Sequence, residues 1–432
     1  MLQAWLPVIP SGCATKFKGF TWVLPMRTVL ISGAGIAGPT LAYWLKAAGF
    51  EPTLVERAPA QRSGGYVIDF WGLGYDIAEQ MGLLPDIHRS GYHVQEMRVV
   101  DACGRTLAGI GTRVFAELTG GSYVTVQRSE LSRLLFGSIK NGTEVLFGDE
   151  IIAFREEPEC IRVELERAGE RHFDLLIGAD GLHSRVRSLV FGPQTAFERH
   201  LGYVVAAFEV RGYRPRDQDV YLMYSQPGRM VGRFTLRDDR TMFLFVFAST
   251  DPHLPASPDQ QKTVVRDVYR GGGWECHEIL AELDRTDDLY FDRVSQIRMP
   301  SWSRGRVALV GDAAFCVSLL AGQGSALAMI AAYVLAGELA ASSGRYQEAF
   351  ARYDEVLRTY IEAKQGAAER FAGAFAPKTR AGLLFRNLVI KTFAFPGVAR
   401  LAFGRDIADA LPLPNYDWRL RDRSSAPQTD RF

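Results

Sequence analysis

Paired cysteines, clustered histidines and charge of one sign are all missing from this chain, and each absence closes a class of function. Five cysteines, at positions 13, 103, 160, 276 and 316, are odd in number and form no C-x-x-C pair. Reduced thiols in a cytoplasmic protein are therefore expected, rather than a disulfide scaffold or a cysteine zinc site. The seven histidines are scattered, with no H-E-x-x-H and no His/Cys cluster, so no metal site is expected. Lys and Arg number 50 against 49 Asp and Glu, for a net charge of +1. No basic stripe stands out, and nothing asks for nucleic acid or an anionic membrane. Neither a G-x-S-x-G elbow nor a Gly-Lys phosphate loop occurs, which removes the commonest hydrolase and NTPase readings.

What the chain does have is glycine at three stations. The first lies in residues 28–56, TVLISGAGIAGPTLAYWLKAAGFEPTLVE. A β-branched, apolar run suited to a buried parallel strand feeds Gly33, Gly35 and Gly38 in G-x-G-x-x-G spacing. That chemistry needs glycine for a tight turn, for close backbone approach to a pyrophosphate, and for close packing of helix on strand. A helix entered through Ile36 and Ala37 and stopped by Gly49 would aim its free N–H groups at the phosphates. Glu56, followed by Arg57, ends the second strand where a carboxylate would take the hydroxyls of an adenosine ribose.

The second station is DLLIGADGLHSRVR, residues 174–187, a buried strand running into Gly178, Asp180 and Gly181, with Ser184 as a helix cap. The third follows the strand at 306–310: Gly311-Asp312-Ala313-Ala314, then Ala321-Gly322-Gln323-Gly324 and an uncharged stretch up to Glu338. Its length is that of a membrane span, but the glycine interruption favours a core helix over 326–339. Ser129 is a candidate cap for a helix over 131–139. Between the second and third stations, residues 203–249 alternate in four short runs separated by turns, the pattern of an antiparallel sheet. The first 25 residues are apolar, but Lys16 and Lys18 follow the apolar stretch and prolines interrupt it, so an extension with a start at Met26 is expected rather than a signal peptide. A long amphipathic helix over 346–371, an apolar segment over 383–402 and an unstructured tail after Leu413 complete the chain.

The ordered set GAGIAG with Glu56, GADG with Ser184-Arg185-Val186-Arg187, and GDAA with AGQG resembles the single-component FAD-dependent aromatic monooxygenases, the family of para-hydroxybenzoate hydroxylase and the tetracycline-inactivating flavin enzymes. The resemblance covers roughly residues 27–405 and implies an α/β fold. A Rossmann-like FAD-binding domain (26–195 and 286–342) would carry an inserted antiparallel-sheet substrate domain (196–285), with C-terminal helices and a tail (343–432) and an N-terminal extension (1–25). It implies that Gly33, Gly35, Ile36, Ala37, Gly38, Glu56 and Arg57 hold the ADP half of FAD. Arg128 would contact the flavin side, Asp312 the ribityl or pyrophosphate portion, and Asp69 would stand near the isoalloxazine. Arg62 would receive NADPH, Asp180 would serve both nucleotides, and Gly311, Gly322, Gln323 and Gly324 would bring backbone N–H groups to the flavin. The implied chemistry has NADPH reduce FAD and O₂ add to give a C4a-hydroperoxide that hydroxylates an aromatic or polycyclic small molecule, with no obligatory side-chain acid or base.

Where relatives carry His or Tyr after GDAA and Pro a few residues later, this chain has Phe315 and Leu319, which bears on the substrate's seat. Tyr221, Met223, Phe243, Phe245 and Leu319 are the expected substrate residues, the two pairs because residues two apart on a strand share a face. A monomer or homodimer is expected. A flavoprotein that binds a polycyclic ligand without oxygenating it, and a Baeyer-Villiger or antibiotic-inactivating outcome, are the alternatives. A halogenase lacks support without a W-x-W-x-I-P motif, and a nicotinamide dehydrogenase would leave the second and third stations unexplained.

Overall fold

The structure, a computed structural model, describes residues 28–61, 66–112, 114, 117, 119–213, 217, 219–251, 254–393, 411–416 and 418. The expected N-terminal extension, Cys13 and Arg62 lie outside the described residues.

The run TVLIS becomes the strand Thr28–Ser32, in which Val29, Leu30 and Ile31 are fully buried. A strand apolar on both faces needs cover on both, so it takes the middle of a parallel sheet. Glu51–Glu56 pairs with it on one side and Leu175–Gly178 on the other, both parallel. Glu144–Phe147 extends the first side, and Val307–Leu309 with Ser303–Arg304 the second. The strands that end in the three glycine stations are therefore adjacent and parallel, and their carboxyl ends open on one crevice.

The uncharged run after the third station forms the helix Gly324–Ala341, long and apolar enough to cross a membrane. It is a core helix instead, buried against the helices Ala37–Ala47, Leu73–Gln80 and Tyr346–Phe375. Its one carboxylate, Glu338, is buried and accepts a hydrogen bond of 2.6 Å from the Tyr416 hydroxyl. The Tyr416 ring fills the notch beside Gly337, where any Cβ would stand inside it. Trp418 packs on Trp44 at 4.7 Å between ring centres, and the Tyr333 hydroxyl donates to the Pro414 carbonyl. The described part of the tail is thus anchored rather than unstructured.

The alternating runs form a seven-stranded sheet ordered Tyr290–Ile297, Glu198–Arg211, Arg240–Ala248, Arg229–Thr235, Val220–Gln226, Glu96–Val100 and Thr106–Gly111. Glu96–Val100 joins it parallel to Val220–Gln226, a pairing across more than a hundred residues. Residues 96–111 and 290–297 were expected in the FAD-binding part and belong to this sheet instead, because such distant pairing leaves no local trace. Helices Pro258–Tyr269 and Cys276–Arg285 cover one face. The other face turns toward the ends of Tyr346–Phe375 and Arg380–Phe393 and the loop at Leu319. A two-stranded ribbon, Val67–Trp71 against Tyr123–Gln127, lies between sheet and core. The helix after it begins at Arg128 with Gln127 as its cap residue, so Ser129 is inside the helix and does not cap it.

Candidate cofactor and substrate site

The three stations meet through their glycines. Gly33 has φ +108°, donates its N–H to the Val55 carbonyl at 2.7 Å, and is so close to the second station that a Cβ would lie 2.5 Å from the Ala179 carbonyl oxygen. At Gly38 a Cβ would run into the Gly33 carbonyl. Both are glycine for packing. Gly35 differs: a Cβ there would find no protein atom nearer than the Arg128 guanidinium at 3.9 Å. Its open side is the approach a pyrophosphate needs, at the start of the helix Ala37–Ala47, which Ile36 enters. Gly311, with φ +65°, packs its Cα face on Ala37 and Ala328, joining first station to third. Gly322, in a left-handed turn, has open space beside it, and Gly324 stands by the Asp312 carboxylate, which a Cβ would meet at 3.8 Å.

The polar groups follow the same convergence. Glu56 accepts 2.9 Å hydrogen bonds from the N–H groups of Ala34 and Ala58, which holds its carboxylate at the glycine turn; Arg57 beside it is exposed. Burial lifts the Asp312 carboxyl above its usual range, offset by the Arg128 guanidinium and by a hydrogen bond from the Cys316 thiol. The same burial pushes the Tyr66 phenol up, with Arg128 pulling it back. Arg128, Asp312 and Tyr66 thus form one electrostatic group at the end of the crevice, and Tyr290 of the seven-stranded sheet closes on Tyr66 at 6.2 Å between ring centres. Asp69 on the ribbon accepts from the hydroxyls of Tyr123 and Thr125, at 2.6 and 2.7 Å, and lines a cleft with Gln323 and Ala326. Asp180 accepts from the Ser184 hydroxyl at 2.5 Å and from the N–H groups of Arg185 and Val186. Its carboxylate is therefore spent on the start of the helix Arg185–Phe191, which Ser184 caps by accepting from the Arg187 N–H.

On the seven-stranded sheet the expected substrate pairs part company. Directly paired residues share a face. Met223 lies opposite Gly232, and Gly232 opposite Leu244. On the other face Tyr224 meets Val231 and Phe245, while Leu222 meets Arg233 and Phe243. Phe243 and Phe245, fully buried, pack on Phe208, Tyr213 and Tyr269 under the covering helices, away from the crevice. Their assignment as substrate residues is corrected: alternation was read properly within each strand, but the register between strands puts the two pairs on opposite faces. Tyr221 and Met223 pack in one cluster with Leu244 and Leu319, on the face opposite Phe243 and Phe245. Phe315, by contrast, turns into the core against Trp302 at 4.6 Å.

Three residues at the site carried no assignment from the sequence. Tyr66 and Tyr290 come together from distant segments, and nothing in their neighbourhoods signals it. Arg187 sits in the second motif, but only the fold reveals that it is fully buried and donates to the Ala313 carbonyl of the third.

A parallel sheet with three glycine stations at one crevice, roofed by a mostly antiparallel sheet, defines an FAD-binding oxidoreductase. The chain belongs to the family described as FAD binding domain, whose model matches residues 26–368, and within it to the FAD-dependent monooxygenases. A flavin-dependent monooxygenase from an unknown prokaryotic organism is 35% identical over 344 residues, 78% of this chain and 88% of that one. The crystal structure of the tetracycline destructase Tet(55) superposes with a TM-score of 0.79 at 30% identity, covering 91% of this chain and all of that one. HpxO of Klebsiella pneumoniae, complexed with FAD and uric acid, has the same fold, with a TM-score of 0.73 at 23% identity over 90% of this chain and 98% of its own.

Proposed function

We propose that this FAD-dependent monooxygenase takes electrons from NADPH and inserts one atom of O₂ into an aromatic or polycyclic small molecule seated between the crevice and the face carrying Tyr221, Met223 and Leu244. The observation that carries the reading is the convergence of Gly35, Glu56, Arg128, Asp312 and Gly322 on one crevice, with that apolar sheet face directed toward it. Bound FAD supplies the redox chemistry. The residues do the rest. Gly35 admits the pyrophosphate, the Glu56 carboxylate takes the ribose, and Arg128 and Asp312 orient the flavin end. Tyr221, Met223, Leu244 and Leu319 exclude water from the reacting carbon, because solvent there diverts the oxygen to hydrogen peroxide. The related destructase and the uric-acid complex make planar ring systems the first compounds to try.

The test is oxidation of NADPH by the purified yellow protein with a panel of polycyclic phenols, uric acid and tetracycline under labelled O₂. Substrate-stimulated oxidation and a product carrying one labelled oxygen are expected. If ligands bind but every electron pair leaves as hydrogen peroxide, the protein is a ligand-binding flavoprotein and the proposal fails.

A further inference from the structure

The charge of the whole chain is balanced, but one stretch of it is not. Between Glu369 and Asp406 there are seven Lys or Arg and no carboxylate. Within that stretch lies the helix Arg380–Phe393, which Thr379 caps by accepting from the Gly382 N–H at 3.0 Å. One buried side chain fixes its rotation. Arg386 donates through Nη1 to the Ser225 hydroxyl at 3.0 Å and to the Phe375 carbonyl at 3.1 Å. Ile390, one turn further on the same side, is buried in the cluster that holds Tyr221, Met223 and Leu319.

With that side turned in, the opposite side of the helix is turned out. Leu384, Phe385 and Leu388 are 72%, 69% and 60% exposed, three of the six large apolar side chains that stand exposed among the described residues. Single exposed leucines are ordinary, whereas three within two turns of one helix make a patch that calls for an occupant. Arg380 and Lys391 are exposed at the two ends of the same face. The strands Thr106–Gly111 and Val220–Gln226, against which the helix lies, bring no charge of either sign. An apolar centre with basic ends and no acid suits the boundary between lipid and water, with the apolar side chains among acyl chains and the cations among anionic headgroups. A second copy of the chain fits worse. Two-fold pairing of this face would set basic ends against basic ends, with no carboxylate on the helix to answer them.

We propose that the exposed face of Arg380–Phe393 docks on an anionic membrane surface. The inner side of the same helix packs on the roof face assigned to the substrate, so docking would leave that face one helix away from the bilayer. Docking stands apart from the monooxygenase reading and does not depend on it.

Flotation of the holoenzyme with vesicles of phosphatidylcholine, and with vesicles of phosphatidylcholine mixed with phosphatidylglycerol, tests it. Wild type is expected to partition onto the mixed vesicles about 10-fold more strongly than onto the neutral ones, and high salt should erase the difference. Leu384→Ser/Leu388→Ser removes the apolar centre and should weaken binding to the mixed vesicles about 10–100-fold. Arg380→Gln/Lys391→Gln removes the cations and should weaken it about 10–30-fold. All four side chains are exposed, and equal melting temperatures and flavin content keep the comparison to binding. Should one double variant fail to fold, the other decides. Wild type that stays in the buffer, equal flotation with neutral and anionic vesicles, or unchanged flotation of either double variant overturns the proposal. So does a wild-type dimer that Leu384→Ser/Leu388→Ser splits into monomers in sedimentation, which would give the face to a second copy.

Discussion

Arg187 donates through Nη1 to the carbonyl oxygen of Ala313 at 3.0 Å, a hydrogen bond that fastens the second glycine station to the third. Its Nη2 donates to the Leu182 carbonyl at 2.6 Å and to Gln194 Oε1 at 3.1 Å. The side chain is fully buried, and burial pulls its pKa below the usual arginine value. A guanidinium in such a place is costly without hydrogen bonds, and those of Nη1 and Nη2 offset its burial while Nε finds no acceptor among the described residues. Arg187→Met keeps the length and loses every bond, and should cost on the order of 3 kcal/mol of stability together with flavin. Urea unfolding and flavin absorbance measure both, and an unshifted midpoint would show the link to be dispensable.

Gly35 and Gly38 belong to one motif and should fail differently. A side chain at Gly38 collides with the Gly33 carbonyl, whereas one at Gly35 enters only the open approach. Gly38→Val should therefore yield little folded protein. Gly35→Val should fold with a near-normal circular dichroism spectrum and purify colourless. Retention of FAD by Gly35→Val would mean the pyrophosphate lies elsewhere.

Phe243 and Leu319 separate core from seat. Phe243→Ala empties a site under the covering helices and should cost roughly 3–5 kcal/mol, with the ratio of product to NADPH consumed unchanged in the folded fraction. Leu319→Ala alters a partly buried side chain beside Tyr221 and Leu244. It should leave the melting temperature nearly as it was and raise hydrogen peroxide at the expense of product. Normal coupling in Leu319→Ala would remove that residue from the seat.

His183 ties the loop of the second glycine station to the seven-stranded sheet. Its Nε2 lies 2.9 Å from Asp292 on the seven-stranded sheet, and the hydrogen bond and charge of Asp292 raise its pKa against a smaller opposing effect of burial. A raised folded pKa means that the stabilisation is complete below the unfolded value and fades as pH climbs through the folded one. With 56% of the side chain exposed the effect is modest. Wild type should melt above His183→Gln at about pH 6, and the gap should close on the alkaline side. A gap that widens with pH would refute the ion pair.

The crevice was legible before the fold because its parts are local. At each station a strand runs straight into a glycine turn, and TVLIS or GDAA carries its meaning in its own spacing. The roof was legible in part. Period-two alternation placed Phe243 with Phe245 and Tyr221 with Met223, but which pair faces the crevice depends on hydrogen-bond register between strands, and one residue of slip inverts it. Glu96–Val100 and the Tyr66 to Tyr290 contact were illegible, since both depend on segments brought together only by the finished chain. The buried Glu338 read as the end of an apolar run, and its partner Tyr416 read as tail.

That partner has a bearing on the order of assembly. Chains are made from the N-terminus, and early domains usually fold as they emerge. Here the helix that carries the first glycine turn finishes its packing through Trp44 on Trp418, and the core helix beneath it satisfies Glu338 through Tyr416. The nucleotide-binding half is thus begun first and completed late. During synthesis the face of Trp44 and the notch at Gly337 wait uncovered while the whole roof is made.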